Sequence, residues 1–422
     1  MINPAIRTAT APLTLETLQR WDLEDPLRPF RDQFDLPPDT VYLDGNSLGA
    51  LPKAARLRIA DVVSEEWGRG LIRSWNVCKW IEAPQRVGDK IAKLVGAAAG
   101  EVIVADSTSV NLFKLIGAAL AARPDRSTVL SEPGNFPTDL YMIEGATRSA
   151  GRAVKLRLEP AERILQSIDS DTALVLLTHV HYKTAAMHDM RAITERAHAV
   201  GALVLWDLSH SAGAVDVDLN GCNADMAVGC GYKYLNGGPG APAFLFLARR
   251  HQAEAISPLT GWMGHAQPFE FEDSYAPAPG MRRFLCGTPA MLGLLSLEAS
   301  VDLLLQSNRL DVVGKSRRLS ALFIDLVAQL CPDSGLHLVS PRDAACRGSH
   351  VSFAHRDGYA IMQALIERGV IGDFRAPDIL RFGFTPLYTR YVDMWQAVSA
   401  LADVLGSECW AHPRYSVRAA IT

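Results

Sequence analysis

No stretch of this chain is apolar for the roughly 20 residues that a membrane-crossing helix needs. No two cysteines stand as C-x-x-C, and the seven cysteines are odd in number and widely spread. That excludes a disulfide frame or a thiolate zinc site and fits reduced thiols in the cytoplasm. Charge is nearly balanced, at −4, with the basic residues scattered. A nucleic-acid partner would need a basic face or stripe instead. The opening stretch MINPAIRTATAPLTLETLQR lacks the apolar core of a secretory signal. There is no internal repeat and no low-complexity segment. What remains is a 422-residue globular chain, long enough for a substantial core and, by length, for two domains.

The most informative stretch runs from Gly201 to Leu247. It opens on an apolar run, Ala202 to Trp206, rich in branched residues as in a strand buried on both faces. Asp207 ends that run, His210 follows, and after a turn comes a second run, Met226 to Val228. Gly231, Tyr232, Lys233 and Tyr234 come next, then a glycine cluster, Gly237, Gly238 and Gly240, and a third run, Phe244 to Leu247. Ligands of open α/β sheets gather outside the carboxyl ends of the strands, where Asp207 and Lys233 fall. Each alone has an ordinary explanation, Asp207 as a helix cap and Lys233 as a solvated loop residue. Together they suit pyridoxal 5'-phosphate, whose aldehyde takes a lysine amine as a Schiff base and whose ring nitrogen takes a carboxylate partner. A negative charge there favours the protonated ring nitrogen. His210 would support that carboxylate or lie against the cofactor.

Around this stretch, strand and helix patterns alternate. Strands are expected at Val102 to Ala105, Thr128 to Glu132, AVKLRL and ALVLLTHV. Helices are expected at Leu13 to Trp21, Lys53 to Trp67, Arg86 to Leu94, Glu162 to Ile168 and Asp189 to Val200. Such units imply a mostly parallel sheet with right-handed crossovers. Asp106-Ser107-Thr108-Ser109 opens a long apolar helix; hydroxyls there cap it, and free amides suit a phosphate. Phe136, after a strand end, is placed either to stack on a ring or to pack in the core. His179, His181 and His188 include an H-x-H pair, but no carboxylate or thiolate completes a metal site, so none is expected. Beyond Leu247 lies a long aromatic loop, Pro258 to Pro279, of a length often tied to function. From Met291 an amphipathic helix should lead to a smaller domain with strands HLVSP, GSHVSF and ILRFGF and helices Gly358 to Arg368 and Tyr391 to Leu405. Arg381 stands there among apolar neighbours, so it needs a partner: a structural salt bridge or a bound carboxylate.

WDLSHSAGAVDVDL and GCGYKYLNGGPGAPAF resemble the kynureninase family, within the aspartate-aminotransferase fold group of pyridoxal-phosphate enzymes. So do VYLDGNSLGALP, EEWGRGLIRSWN, NFPTDLY, LTHVHYKTAAMHDM, LTGWMGH, FLCGTP, GSHVSF and LRFGFTPLYT, from about Val41 to the end. The resemblance implies the α/β fold type I of PLP-dependent transferases. Its mostly parallel mixed sheet would lie in a large domain (61–299), with a smaller α/β domain built from 1–60 and 300–422. It implies Thr108 and Ser109 in a phosphate cradle, and Phe136, Thr138, Asp139, Thr178, Asp207, His210, Tyr232, Lys233, Trp262 and Thr288 around the cofactor. Arg381 would hold the substrate α-carboxylate, while Ser47 and Trp75 would form part of the aryl pocket. Lys233, Tyr232 and Asp207 would be catalytic. The implied reaction is hydrolysis of L-kynurenine to anthranilate and L-alanine in tryptophan degradation, which in some organisms feeds pyridine nucleotide synthesis. A homodimer with shared sites is implied as well.

Three rivals stand against it. A cysteine desulfurase would need a mobile loop cysteine, and only Cys346 is remotely so placed; an aminotransferase would need a second mode of carboxylate recognition. A catalytically silent relative has no need of Asp207, His210, Lys233 and Arg381 together. The apolar surface of Trp75 favours L-kynurenine over its 3-hydroxy form, since a hydroxyl is selected strongly only by a site built to hydrogen-bond it.

Overall fold

The computed structural model describes residues 12–418, so the reading of the opening stretch as free of a signal lies partly outside the described residues. Seven strands form the larger sheet: β1 (Val102–Val104), β2 (Thr128–Ser131), β3 (Lys155–Leu158), β4 (Thr172–Thr178), β5 (Leu203–Asp207), β6 (Met226–Gly229) and β7 (Phe244–Leu247). Their order is β1-β7-β6-β5-β4-β2-β3. All neighbours are parallel except β7, which runs antiparallel to both β6 and β1.

The central strands are apolar throughout because both faces are covered. Leu174, Leu176, Leu203, Leu205 and Val228 point to one core, with Leu112, Leu115 and Ile143 of the helices Thr108–Ala122 and Pro137–Ser149. The alternate residues Val175, Leu177, Val204, Trp206 and Ala227 face a second core, with Val87, Ile91, Ile193, Leu294 and Val301. These come from the helices Ala83–Leu94, Met190–Ala199 and Met291–Leu304. The period-two alternation of a strand thus feeds both layers.

Four short strands, β8 (His337–Leu338), β9 (His350–Ala354), β10 (Asp373–Arg375) and β11 (Ile379–Gly383), make an antiparallel sheet in the order β8-β9-β11-β10. Helices Arg309–Leu330, Gly358–Glu367 and Tyr391–Ser407 close its core. The N-terminal segment serves both bodies. Leu18, Val41 and Leu43 pack in the small-sheet core, and Val41–Tyr42 pairs in parallel with Val370–Ile371. Leu27, Phe34 and Ala50 pack in the core of the larger sheet. The expected helix Lys53 to Trp67 ends as α-helix at Asp61 and continues as a wider π-turn segment to Gly70.

Candidate active site

A cavity of about 620 Å³ opens where β4 and β5 end and the helices Thr108–Ala122 and Pro137–Ser149 begin. That volume suits a cofactor with a small substrate. Its position follows from connectivity, since each parallel strand delivers its last residue to the same edge of the sheet. Thr178 and Asp207 are register partners at the ends of β4 and β5, so their side chains share a face.

Asp207 is almost wholly buried, and its Oδ1 accepts from the amide and the hydroxyl of Ser209, at 2.8 and 2.6 Å. This is a turn, not the helix cap that was the alternative. Oδ2 has no hydrogen-bond partner among the described residues. Beside it Asp139, in the first turn of the helix Pro137–Ser149, meets Thr178 Oγ1 at 3.0 Å through Oδ2, while Oδ1 is buried and unpaired. Thr178 Oγ1 also lies 2.5 Å from Asn135 Oδ1. Burial raises both carboxyls above their ordinary range, and Asp139 rises further because Asp207 is near.

Lys233 Nζ lies 2.9 Å from Nε2 of His210 and 5.8 Å from the centre of the Phe136 ring. Burial lowers its pKa, and the charges of Arg381 and Arg375 add to the effect. His210 is buried, and its pKa is held well below the usual value by burial and by Lys233, so it stays neutral. Its ring packs 5.3 Å from that of His350, whose nitrogens are both buried and unpaired. Phe136 is 39% exposed toward the cavity and meets Tyr182 edge-on, so it is not a core residue. Burial raises the Tyr232 hydroxyl above its usual value.

Thr108, Ser109, Phe136, Thr138, Asp139, Thr178, Asp207, His210, Tyr232, Lys233 and Thr288 all line this cavity. Ser107 caps the helix with Oγ 3.4 Å from the Val110 amide, leaving the first amides near Thr108 and Ser109 for an anion. The residues therefore fit pyridoxal 5'-phosphate. Two buried acids, each with an unpaired oxygen, can face a protonated ring nitrogen; an enclosed lysine amine can face an aldehyde; hydroxyls at a helix start can hold a phosphate.

Four expected site residues stand apart from the cavity lining. Arg381 of β11 is buried just behind it, donating to Asp373 Oδ1 and the Tyr182 carbonyl at 2.8 Å each and to Asp373 Oδ2 at 2.5 Å. Ser47 joins it, accepting from Arg381 Nη2 at 2.8 Å and donating to Asp373 at 2.6 Å. The turn carrying Ser47 also braces the lysine loop. Gly49 donates to the Tyr232 carbonyl at 2.8 Å, and a Cβ at Gly49 would come within 2.3 Å of the Lys233 carbonyl oxygen. Asp44 bridges to Gly383, which anchors the same turn on the small sheet. Trp75 instead packs edge-on against Trp80. Trp262 lies in the long loop, 43% exposed and against Phe269. The fold of one chain brings neither tryptophan to its own cavity.

The sequence pattern missed Tyr182, Ser209, Asp373 and Arg375. Tyr182 sat in view within LTHVHYKT; the others lacked a local signal. His179 packs on Trp206 and His188 on Glu132, and no metal-holding cluster occurs among the described residues.

A family model described as the kynureninase C-terminal domain matches residues 312–401. A kynureninase of Burkholderia pseudomallei (strain 1106a) is 50% identical over 415 residues, covering 97% of this chain and 100% of that protein. A kynureninase of Pseudomonas fluorescens is 50% identical over 406 residues, covering 95% of this chain and 98% of that one. Among solved structures, a C-DES variant with glycine covalently linked to its PLP cofactor matches with a TM-score of 0.78 at 18% identity, over 88% of this chain and 99% of that one. The cysteine desulfurase CsdA of Escherichia coli matches with a TM-score of 0.75 at 20% identity, over 90% and 98%. At such identities these two speak for the fold alone.

Proposed function

The chain belongs to the kynureninase family, and from that premise we propose how its cavity works. The protein is a hydrolase that cleaves the Cβ–Cγ bond of L-kynurenine to give anthranilate and L-alanine, with pyridoxal 5'-phosphate as cofactor. When bound, that cofactor supplies an electron sink for the charge left on the substrate carbon.

The observation that carries the site assignment is one cavity holding an enclosed lysine, a neutral histidine and two buried acids. Lys233 moves the Cα proton, a task that suits an amine whose pKa burial has lowered. Asp207, with Asp139 beside it, holds a proton at the ring nitrogen. Thr108, Ser109 and Thr288 hold the phosphate. Arg381 and Ser47 orient the α-carboxylate end, and Tyr232 holds or moves a proton at the aryl ketone, where water must add.

The protein works as a homodimer in which Trp75 and Trp262 serve the partner's cavity. Supporting this, Trp67, Leu71, Ile72 and Val77, next to Trp75, are between 57% and 78% exposed, more apolar surface than a monomer usually leaves together. The large domain is read as 61–299 and the small one as 1–60 with 300–422, the two sheets having separate cores. Seven unpaired thiols suit the cytoplasm. Cys346 does not suit a desulfurase: its carbonyl accepts from Met187 at 3.0 Å, pinning the loop to the larger body.

Borohydride treatment of the yellow holoenzyme, followed by peptide mapping, tests the assignment. The reduced cofactor is expected on Lys233, and a label elsewhere or none sinks the proposal. Initial rates on L-kynurenine and 3-hydroxy-L-kynurenine test the aryl wall. The first should be faster; equal rates, or faster turnover of the hydroxylated form, defeat an apolar Trp75 contact.

A further inference from the structure

Lys114 lies within the apolar helix Thr108–Ala122, and its side chain is fully buried. Its ammonium contacts the Asp106 carboxylate and, at 2.5 Å, the carbonyl oxygen of Phe284, 170 residues further along the chain. It also lies against the Cys286 thiol. These contacts join two stretches that line the cavity, 106–109 and 285–288. Asp106 is held at φ +46°, a left-handed backbone uncommon for residues other than glycine, and its side chain is 32% exposed. Among the described residues, the cavity lining contains no arginine, and Lys233 is its one lysine. A bare carboxylate at Asp106, one residue from the cap of the phosphate-facing helix, would repel a dianion there.

We infer that Lys114 is a positioning residue for the phosphate end of the cavity, cancelling the charge of Asp106 and fixing the two stretches that meet there. The inference rests on the cofactor placement proposed above. It differs from a purely structural staple in the sign of its effects. Removing the lysine leaves a negative charge facing the phosphate; removing the aspartate charge leaves an uncompensated positive one. Asparagine tolerates left-handed backbone, so Asp106→Asn keeps the turn.

The test strips the holoenzyme to apoprotein and measures dissociation constants for pyridoxal 5'-phosphate and for pyridoxal, which lacks the phosphate, by fluorescence titration. Lys114→Met is expected to weaken binding of the phosphorylated form about tenfold or more and to shift pyridoxal by less than about twofold. Asp106→Asn is expected to tighten the phosphorylated form by about threefold, with pyridoxal unchanged. Parallel changes for the two ligands in either variant, or unchanged or weaker binding of the phosphorylated form in Asp106→Asn, overturn the role. If Lys114→Met does not fold, the sign in Asp106→Asn decides by itself. Unmodified protein that binds both ligands equally tightly would instead overturn the phosphate placement, and this role with it.

Discussion

Arg381 has five N–H donors, and four contacts with Asp373, Ser47 and the Tyr182 carbonyl engage them, leaving one on Nη1. Of the two alternatives open at the sequence level, the structure shows the salt bridge, to Asp373, with the residue placed behind the cavity where the proposed carboxylate role would use the remaining donor. Asp373 is held well below the usual carboxylate range; burial opposes this, but the Arg381 and Arg375 charges outweigh it. Lysine at position 381 would keep the charge and lose the planar fork. Arg381→Lys should lower kcat/KM about 100-fold, chiefly through KM, and weaken L-alanine binding in a spectral titration by a similar factor. A fall in kcat alone would contradict carboxylate binding. Arg381 was legible because Leu380, Phe382 and Phe384 isolate it as a charge in an apolar run. Asp373 was not, because its partner stands opposite in the β10–β11 register, a relation no local pattern carries. Lys114 was hidden for the same reason, its second contact arriving from far along the chain.

At the amino ends of β5 and β6, far along the strands from the cavity edge, Asp225 ties several elements together. Its carboxylate accepts from His198 at 2.9 Å, Val204 N at 2.9 Å, His251 at 2.8 Å and Arg250 at 2.6 Å. Burial would raise this carboxyl, but the hydrogen bonds from His198, His251 and Val204 hold it far below its usual value. A depressed folded value means the stabilisation is complete above the unfolded value near about 4 and is lost as pH falls through the folded one. Asp225→Asn should cost about 3 kcal/mol at neutral pH and flatten the acid limb of thermal stability, as followed by unfolding scans from about pH 7 to about pH 3. An unchanged acid limb would remove Asp225 from that role. The sequence made the strands of the larger sheet legible because burial on both faces leaves long apolar runs. It missed the helices Pro137–Ser149 and Arg309–Leu330, and the three-residue β10 is too short to show alternation. The second of those helices begins afresh where Asn308 accepts from the Leu310 amide at 2.8 Å, just after Met291–Leu304 ends, so the two apolar patterns merge in the sequence.

At the scale of the molecule, the two tryptophans outside their own cavity make the dimer a chemical claim. Lys233→Ala and Trp262→Ala chains, each inactive alone, should regain roughly a quarter of the original activity when unfolded and refolded together. Half of the randomly formed pairs would then hold one intact site of two. No recovery, with mixed dimers demonstrated by mass, would confine each site to a single chain. The family and its fold were legible from linear motifs. Whether a site is shared between subunits is not, because a motif does not record whose cavity it enters.

The turn around Gly49 has a mechanical corollary. Ser47 grips the arginine of the small sheet while Gly49, two residues on, leans its amide on the peptide that presents Lys233. The arginine proposed to grip a substrate's acidic end and the seat of the amine are thus hung on one short lever. A tilt of the smaller body would move both at once, so on the proposed site a ligand without a carboxylate would leave that lever unloaded and the reactive nitrogen less firmly set.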